Sequence, residues 1–279
     1  MSLAPATETP VLDFAPIVNS APKRLTPGDI AQYNREGYAA PFTVFSPEEA
    51  AANRAYFDGL LAQRAGDGYA INCYQARAQG LWDLCTHPGI LDLVEDVIGP
   101  DIVCWASHFF CKMPGDPKAV PWHQDASFWA LSPARTVTVW LAIDDVDAGN
   151  AAMRFLPRTH DKGPLPWKAP EGPAALDQEI VGAERFGAPV SNDLAAGQAS
   201  LHADMLAHGS LPNLSDRRRC GLTIRYCPPE VSILDAGGAR GNEAIVCRGG
   251  GPSGRWRHQP RPTGDDVSAA NGPRNVGGN

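Results

Sequence analysis

A mainly β fold with flanking α-helices is predicted by three observations. Capped helix signals are confined to residues 25–99. Four later stretches carry the alternation, or the β-branched and aromatic enrichment, of strands. Turn-rich breaks such as Asp144-Asp-Val-Asp-Ala-Gly149 separate them. At 279 residues and 43% hydrophobic the chain can bury one sizeable core, so a single domain over residues 25–265 is expected, with no internal repeat.

Residues 1–24 are Ala/Pro-rich and expected to be disordered. Leu25-Thr-Pro-Gly-Asp-Ile30 opens a helix, with Thr26 as N-cap and Pro27 in the first turn. Ser46-Pro-Glu-Glu49 reads as a capping box whose helix runs to about Arg64, before Gly66. A third helix, His87 to Ile98, gathers Ile90, Leu93, Val94 and Val97 on one face and stops at Gly99-Pro100. Strands are expected at Val103–Met113, Arg135–Ile143, Met153–Leu156 and Cys220–Cys227. Residues 161–198 form a long connection with five prolines, either a lid over the substrate or a surface insertion. Beyond Val246-Cys-Arg-Gly249 the chain is rich in Gly, Pro and Arg, and residues 266–279 are expected to be a disordered tail. A return of Trp256-Arg-His258 to the mouth of a site is left open.

Chemistry concentrates in Val120-Pro-Trp-His-Gln-Asp125, in His208-Gly-Ser-Leu-Pro-Asn213 beginning 85 residues after His123, and in Arg219, 11 residues past His208. His123 and Asp125 are spaced i, i+2, so on an extended strand both project from one face and can reach one metal. With a histidine from a distant strand they make two imidazoles and one carboxylate. Such a set holds one face of Fe(II) and leaves three positions open for oxidant and co-substrate. Asp216-Arg-Arg-Arg219 offers a guanidinium for the far carboxylate of a 2-oxo diacid, which its planar fork grips bidentately.

Val120-Pro-Trp-His-Gln-Asp-Ala-Ser-Phe-Trp129, Thr138-Val-Trp-Leu-Ala-Ile-Asp-Asp-Val-Asp147, Met153-Arg-Phe-Leu-Pro157 and His208-Gly-Ser-x-Pro-Asn-x-Ser-Asp-Arg-Arg-Arg219 together resemble the phytanoyl-CoA dioxygenase family, over roughly residues 25–265. The resemblance implies a double-stranded β-helix, a cupin-like jelly roll, with Fe(II) and 2-oxoglutarate between its sheets. It implies His123, Asp125 and His208 as metal ligands, and Arg219 with Ser210 on the distal carboxylate of 2-oxoglutarate. Trp140 and His108 fall where family members line the co-substrate pocket. Leu201-His-Ala-Asp-Met-Leu-Ala-His208 holds a rival, His202-Ala-Asp204. The downstream Arg219 and the Gly-Ser-x-Pro-Asn that follows His208 favour His208, leaving His202 as a pocket-lining or satisfied core histidine. Halogenating relatives replace the aspartate with a small residue; Asp125 therefore points to a hydroxylase, a dioxygenase releasing succinate and CO2.

Composition narrows the setting. Net charge is −7, and no stretch has the basic footprint that nucleic acid or an anionic membrane requires. Seven cysteines, with no Cys-x-x-Cys, indicate neither a disulfide framework nor a structural zinc site, which suits a reducing cytoplasm. No secretory signal or spanning apolar run is seen. Trp105, Trp122, Phe128 and Trp129 flank the His-x-Asp segment and suit an apolar or ring-bearing small-molecule substrate, with O2 as the other partner. The absence of a basic patch disfavours a CoA thioester. Two alternatives stand beside the oxygenase: a non-catalytic jelly-roll module binding a small ligand or metal, and a zinc hydrolase on the same His/Asp/His face.

Overall fold

The computed structural model describes residues 10–129, 131–234, 243–251 and 253–268. Four α-helices lie in the first part: α1 Pro27–Glu36, α2 Pro47–Gln63, α3 Gln79–Cys85 and α4 Pro88–Ile98. The capping boxes of α1 (Thr26 with Asp29) and α2 (Ser46 with Glu49) are formed as their sequences imply. α4 begins with the His87 side chain accepting from the Gly89 N–H and ends at Gly99. The short α3 has no side-chain cap, so its start carries no sequence signal.

Among the described residues there are fifteen strands, β1 lying between α1 and α2 and the rest after α4: β1 Tyr38–Thr43, β2 Ile102–Lys112, β3 Val120–His123, β4 Leu131–Ser132, β5 Val137–Ala142, β6 Arg154–Phe155, β7 Trp167–Lys168, β8 Glu179–Ile180, β9 Val190–Ser191, β10 Gln198–Ala203, β11 His208–Ser210, β12 Arg219–Cys227, β13 Ser232–Ile233, β14 Glu243–Arg248 and β15 Arg257–His258. A larger sheet runs β1-β10-β5-β12-β2-β14-β15 and a smaller one β3-β11-β6-β9, with the pairs β13-β4 and β7-β8 beside them. All pairings are antiparallel except β14 with β15. This is the expected jelly roll.

Strand parity divides the larger sheet into two faces. Val137, Val139 and Leu141 of β5 and Cys220, Leu222, Ile224 and Tyr226 of β12 share one core cluster with Phe57, Leu60, Ile90, Leu93 and Val94 of the helices. The Phe57 and Phe109 ring centroids are 4.6 Å apart across that contact. Each such side chain, fully buried, contributes about 1.5–3 kcal/mol. The alternate residues, Trp140 of β5 and Arg219, Thr223 and Arg225 of β12, line a cavity shared with residues of the smaller sheet.

Residues 10–24 run across the helices rather than free of them. The buried Asp96 carboxylate accepts from the backbone N–H groups of Lys23, Arg24 and Leu25 at 2.7–2.8 Å, and Asn34 exchanges two hydrogen bonds with Ile17. The expected tail 266–279 lies outside the described residues from 269 onward. The 161–198 connection packs down: Gln124, between His123 and Asp125, donates to the Gly163 carbonyl and accepts from the Leu165 N–H. All seven cysteines are free, and six are buried. Among the described residues no helix is long and apolar enough to cross a membrane.

Candidate active site

The antiparallel register of β3 and β11 sets His123 directly across from His208. Their ring centroids are 4.1 Å apart. β3 ends at His123 and Gln124 stays extended, so Asp125, which opens a 3₁₀ turn, projects to the same side. One ligand atom from each of His123, Asp125 and His208 lies within 4.8 Å of the others, all three residues buried. The His123 Nδ1 lies 2.8 Å from the Pro121 carbonyl and the His208 Nδ1 2.9 Å from that of Leu206. With each Nδ1–H donating there, both Nε2 lone pairs are left for a cation. Thr138 donates to Asp125 Oδ2 at 3.3 Å and fixes the carboxylate from the larger sheet.

Electrostatics favours a ligand state. Burial acts to raise the Asp125 carboxyl, but the imidazoles of His123 and His202 and the Arg225 charge outweigh it and hold the carboxylate well below its usual range. Burial, then the His123 charge, keeps His208 neutral by pushing its pKa well below the ordinary value. Imidazoles gathered around one carboxylate are a donor set suited to a divalent metal.

The cavity beside this cluster is lined also by Phe110, Trp140, Ser210, Arg219, Thr223 and Arg225. Arg219 is 2% exposed. Its only hydrogen-bond acceptors among the described residues are the carbonyls of Ala151 and Phe110, at 2.9 and 3.4 Å. Its guanidinium lies 5.4 Å from the Trp140 ring centroid. The buried Ser210 hydroxyl has no hydrogen-bond partner among the described residues. Among the described residues a buried cation without a carboxylate, on β12, and a buried hydroxyl without an acceptor, on β11, face one cavity from its two sheets and fit the distal end of a diacid. The cavity is narrow, about 30 Å³. A five-carbon diacid therefore needs side-chain movement, for which the long Arg219 and the unbranched Met153 have the rotamer freedom.

Gly221, between Arg219 and Thr223, explains how Trp140 lies across β12. A Cβ there would sit 2.0 Å from Trp140 Cζ2. His108 departs from expectation: its Nε2 meets the Tyr69 carbonyl at 2.9 Å, its ring packs on Phe110 at 4.3 Å, and Phe110 takes the cavity wall instead. Both residues share one face of β2, and parity cannot tell which reaches the cavity. His202 is no satisfied core histidine. It is wholly buried, neither ring nitrogen has a hydrogen-bond partner among the described residues, and its Nε2 is 3.9 Å from Asp125 Oδ2. Trp122 turns from the cavity into a cluster with Leu165 and Phe186, under the Arg154 guanidinium at 5.0 Å. Sequence reasoning missed Arg225 and Thr223, although the alternation that begins at Arg219 places both on its face.

A jelly roll with a buried two-histidine, one-aspartate cluster between its sheets defines the architecture of non-haem iron, 2-oxoglutarate-dependent oxygenases. The chain belongs to the phytanoyl-CoA dioxygenase family, whose sequence profile matches residues 33–221. The peroxisomal phytanoyl-CoA dioxygenase of Bos taurus is 28% identical over 166 residues, covering 57% of this chain and 49% of that protein. The L-proline trans-4-hydroxylase of Streptomyces griseoviridis is 25% identical over 165 residues, covering 50% and 59%. The chain thus matches about half the length of these curated relatives. Among solved structures, apo ThoJ, a non-heme monooxygenase, superposes with TM-score 0.71 at 29% identity, over 84% of this chain and 88% of its own. CytC3 with Fe(II) and alpha-ketoglutarate shares the fold with TM-score 0.64 at 22% identity, over 85% and 94%. Fe(II) and 2-oxoglutarate are the cofactors that go with this class.

Proposed function

We propose that this protein is a dioxygenase that hydroxylates a C–H bond of a small organic molecule. In the balanced reaction the substrate C–H becomes C–OH, one O2 is consumed, and 2-oxoglutarate yields succinate and CO2. The observation that carries this reading is the buried His123, Asp125, His208 cluster sharing its cavity with Arg219, a buried guanidinium whose hydrogen-bond acceptors among the described residues are carbonyls alone. His123 Nε2, Asp125 and His208 Nε2 would hold the iron, which when bound supplies oxygen activation. Arg219 and Ser210 would bind the distal carboxylate of 2-oxoglutarate, with Trp140 packed along the guanidinium. Asp125 favours hydroxylation over halogenation, because it occupies the position a halide would need. A purely metal-binding module or a zinc hydrolase would have no use for a cation placed to grip a diacid.

The test is succinate formation from 2-oxoglutarate with Fe(II) and O2, across a panel of candidate substrates mixed anaerobically and then exposed to air. Substrate-stimulated succinate, one per hydroxylated product, is expected. Turnover indifferent to 2-oxoglutarate would remove the reading. His123→Ala, Asp125→Ala and His208→Ala should each abolish Fe(II)-dependent turnover and weaken Co(II) binding followed by its visible absorption. A His208→Ala variant that keeps both would reassign the distal ligand to His202.

A further inference from the structure

On β12 the alternation Arg219, Gly221, Thr223, Arg225 carries two guanidiniums into one cavity. Six residues of strand set their Cα atoms about 20 Å apart. A single five-carbon diacid anchored on Arg219 therefore leaves Arg225 for something else. Arg225 stands at the Asp125 end, where its charge helps to hold that carboxylate down. The pairing of β12 with β2 shifts register between Arg225 and Tyr226, an irregularity of the kind that re-aims a side chain.

No acid among the described residues forms an ion pair with Arg225, and its Nε is buried without a hydrogen-bond partner. The guanidinium lies 4.9 Å from the Trp129 ring centroid. Trp129 meets Trp105 edge-on at 4.7 Å, and Trp105 stacks along Trp256 at 5.9 Å. The indole Nε1 atoms of Trp105 and Trp256 are likewise buried with no acceptor among the described residues. Arginine Nε and indole Nε1 only donate. Three unmatched donors in one group of packed side chains ask for an acceptor, and the cation asks for a negative one. Trp256 also lines an open cleft of about 560 Å³ together with Arg255 and Arg257, which gives an anion a positive approach.

We propose that Arg225 with Trp129, Trp105 and Trp256 forms the primary-substrate subsite, and that it takes a small carboxylate joined to an aromatic or bulky apolar group. The carboxylate pairs with the guanidinium, the apolar part lies against the half-buried Trp129, which the buried Trp105 and Trp256 back from the core, and the neighbouring carbons come beside the His123, Asp125, His208 cluster, on the side away from Arg219. This rests on the oxygenase reading for the identity of the neighbouring centre.

The experiment is an anaerobic titration of the Co(II)- and 2-oxoglutarate-loaded protein with 3-phenylpropionate and with its uncharged amide, 3-phenylpropanamide, followed by tryptophan fluorescence. The acid should bind at least about tenfold tighter, as a charge-assisted pair implies. Arg225→Gln should erase that preference while the Kd for 2-oxoglutarate stays put. Arg225→Lys, which keeps the charge, should retain part of the preference and guards against misfolding. An acid that binds no better than the amide, including no binding by either, overturns the proposal. So does a preference that survives Arg225→Gln, or a loss of 2-oxoglutarate affinity in its place. Succinate formation from 2-oxoglutarate with Fe(II) and O2 across the candidate substrate panel separates the two readings. If it is absent while the anion preference holds, the oxygenase assignment fails and the subsite stands; if it is present without the preference, the subsite alone fails.

Discussion

Arg219 differs from its two neighbours in what answers its charge. Arg217 pairs with Asp147 at the surface, at 2.7 Å, and Arg218 is held by Asp144 and Asp58, whereas Arg219 meets only carbonyls. Arg219→Ala should therefore raise the KM for 2-oxoglutarate by about 10²- to 10⁴-fold, since a buried carboxylate left alone costs about 3–5 kcal/mol. Arg219→Lys should recover part of that, and Arg217→Ala should change it by less than about twofold. Steady-state kinetics decides, and an equal loss in Arg217→Ala would shift the co-substrate assignment. Asp204 offers a pH signature. Burial, with Asp125 nearby, raises its carboxyl to about 7. The folded state then binds more protons than the unfolded state between about pH 4 and 7, so stability should fall as pH rises through that window, by at most roughly 4 kcal/mol. Asp204→Asn should flatten the slope in urea unfolding measured at pH 5 and pH 8; an unchanged slope would place the effect elsewhere. The gathering of His123, Asp125 and His208 was legible because metal chemistry, if it is to operate, restricts both residue type and spacing. Arg225 was overlooked because Arg-Tyr-Cys reads as ordinary strand, and the choice between His108 and Phe110 depends on sheet curvature that no pattern encodes.

At the level of elements, the features that failed to announce themselves share a cause. β10 is Gln-Ala-Ser-Leu-His-Ala and β14 is Glu-Ala-Ile-Val-Cys-Arg; neither is both rich in β-branched residues and flanked by clear turns. Both are strands because neighbours in the sheet claim their backbone groups, a tertiary effect. The three predicted helices were readable because Thr26 and Ser46 begin capping boxes and Gly99 ends α4. Close packing of β5 on β12 makes Gly221 sensitive. Gly221→Ala should cost about 1–3 kcal/mol through overpacking, lower the Tm by several degrees, and raise the KM for 2-oxoglutarate as Trp140 is pushed from beside Arg219. A Tm and KM matching the native protein would mean that the ring moves aside at no cost.

Across the whole molecule the two proposed histidine ligands and the guanidinium of the proposed clamp come from different layers. His123 and His208 sit on β3 and β11 of the smaller sheet, and Arg219 on β12 of the larger. Thermal shift should reflect this. 2-Oxoglutarate alone should move the Tm little, Co(II) alone by a modest amount, and the two together by more than their sum, because each site completed at about 100 times its Kd contributes about 2.7 kcal/mol. Additive shifts would mean that the two are bound independently. A diacid gripped at one end by β12 and at the other by a metal on β3 and β11 is in mechanical terms a strut between layers. Once it is in place the two sheets should cease to open as separate units, and amide protons on β3, β11 and β12 should exchange with solvent at one common, slower rate.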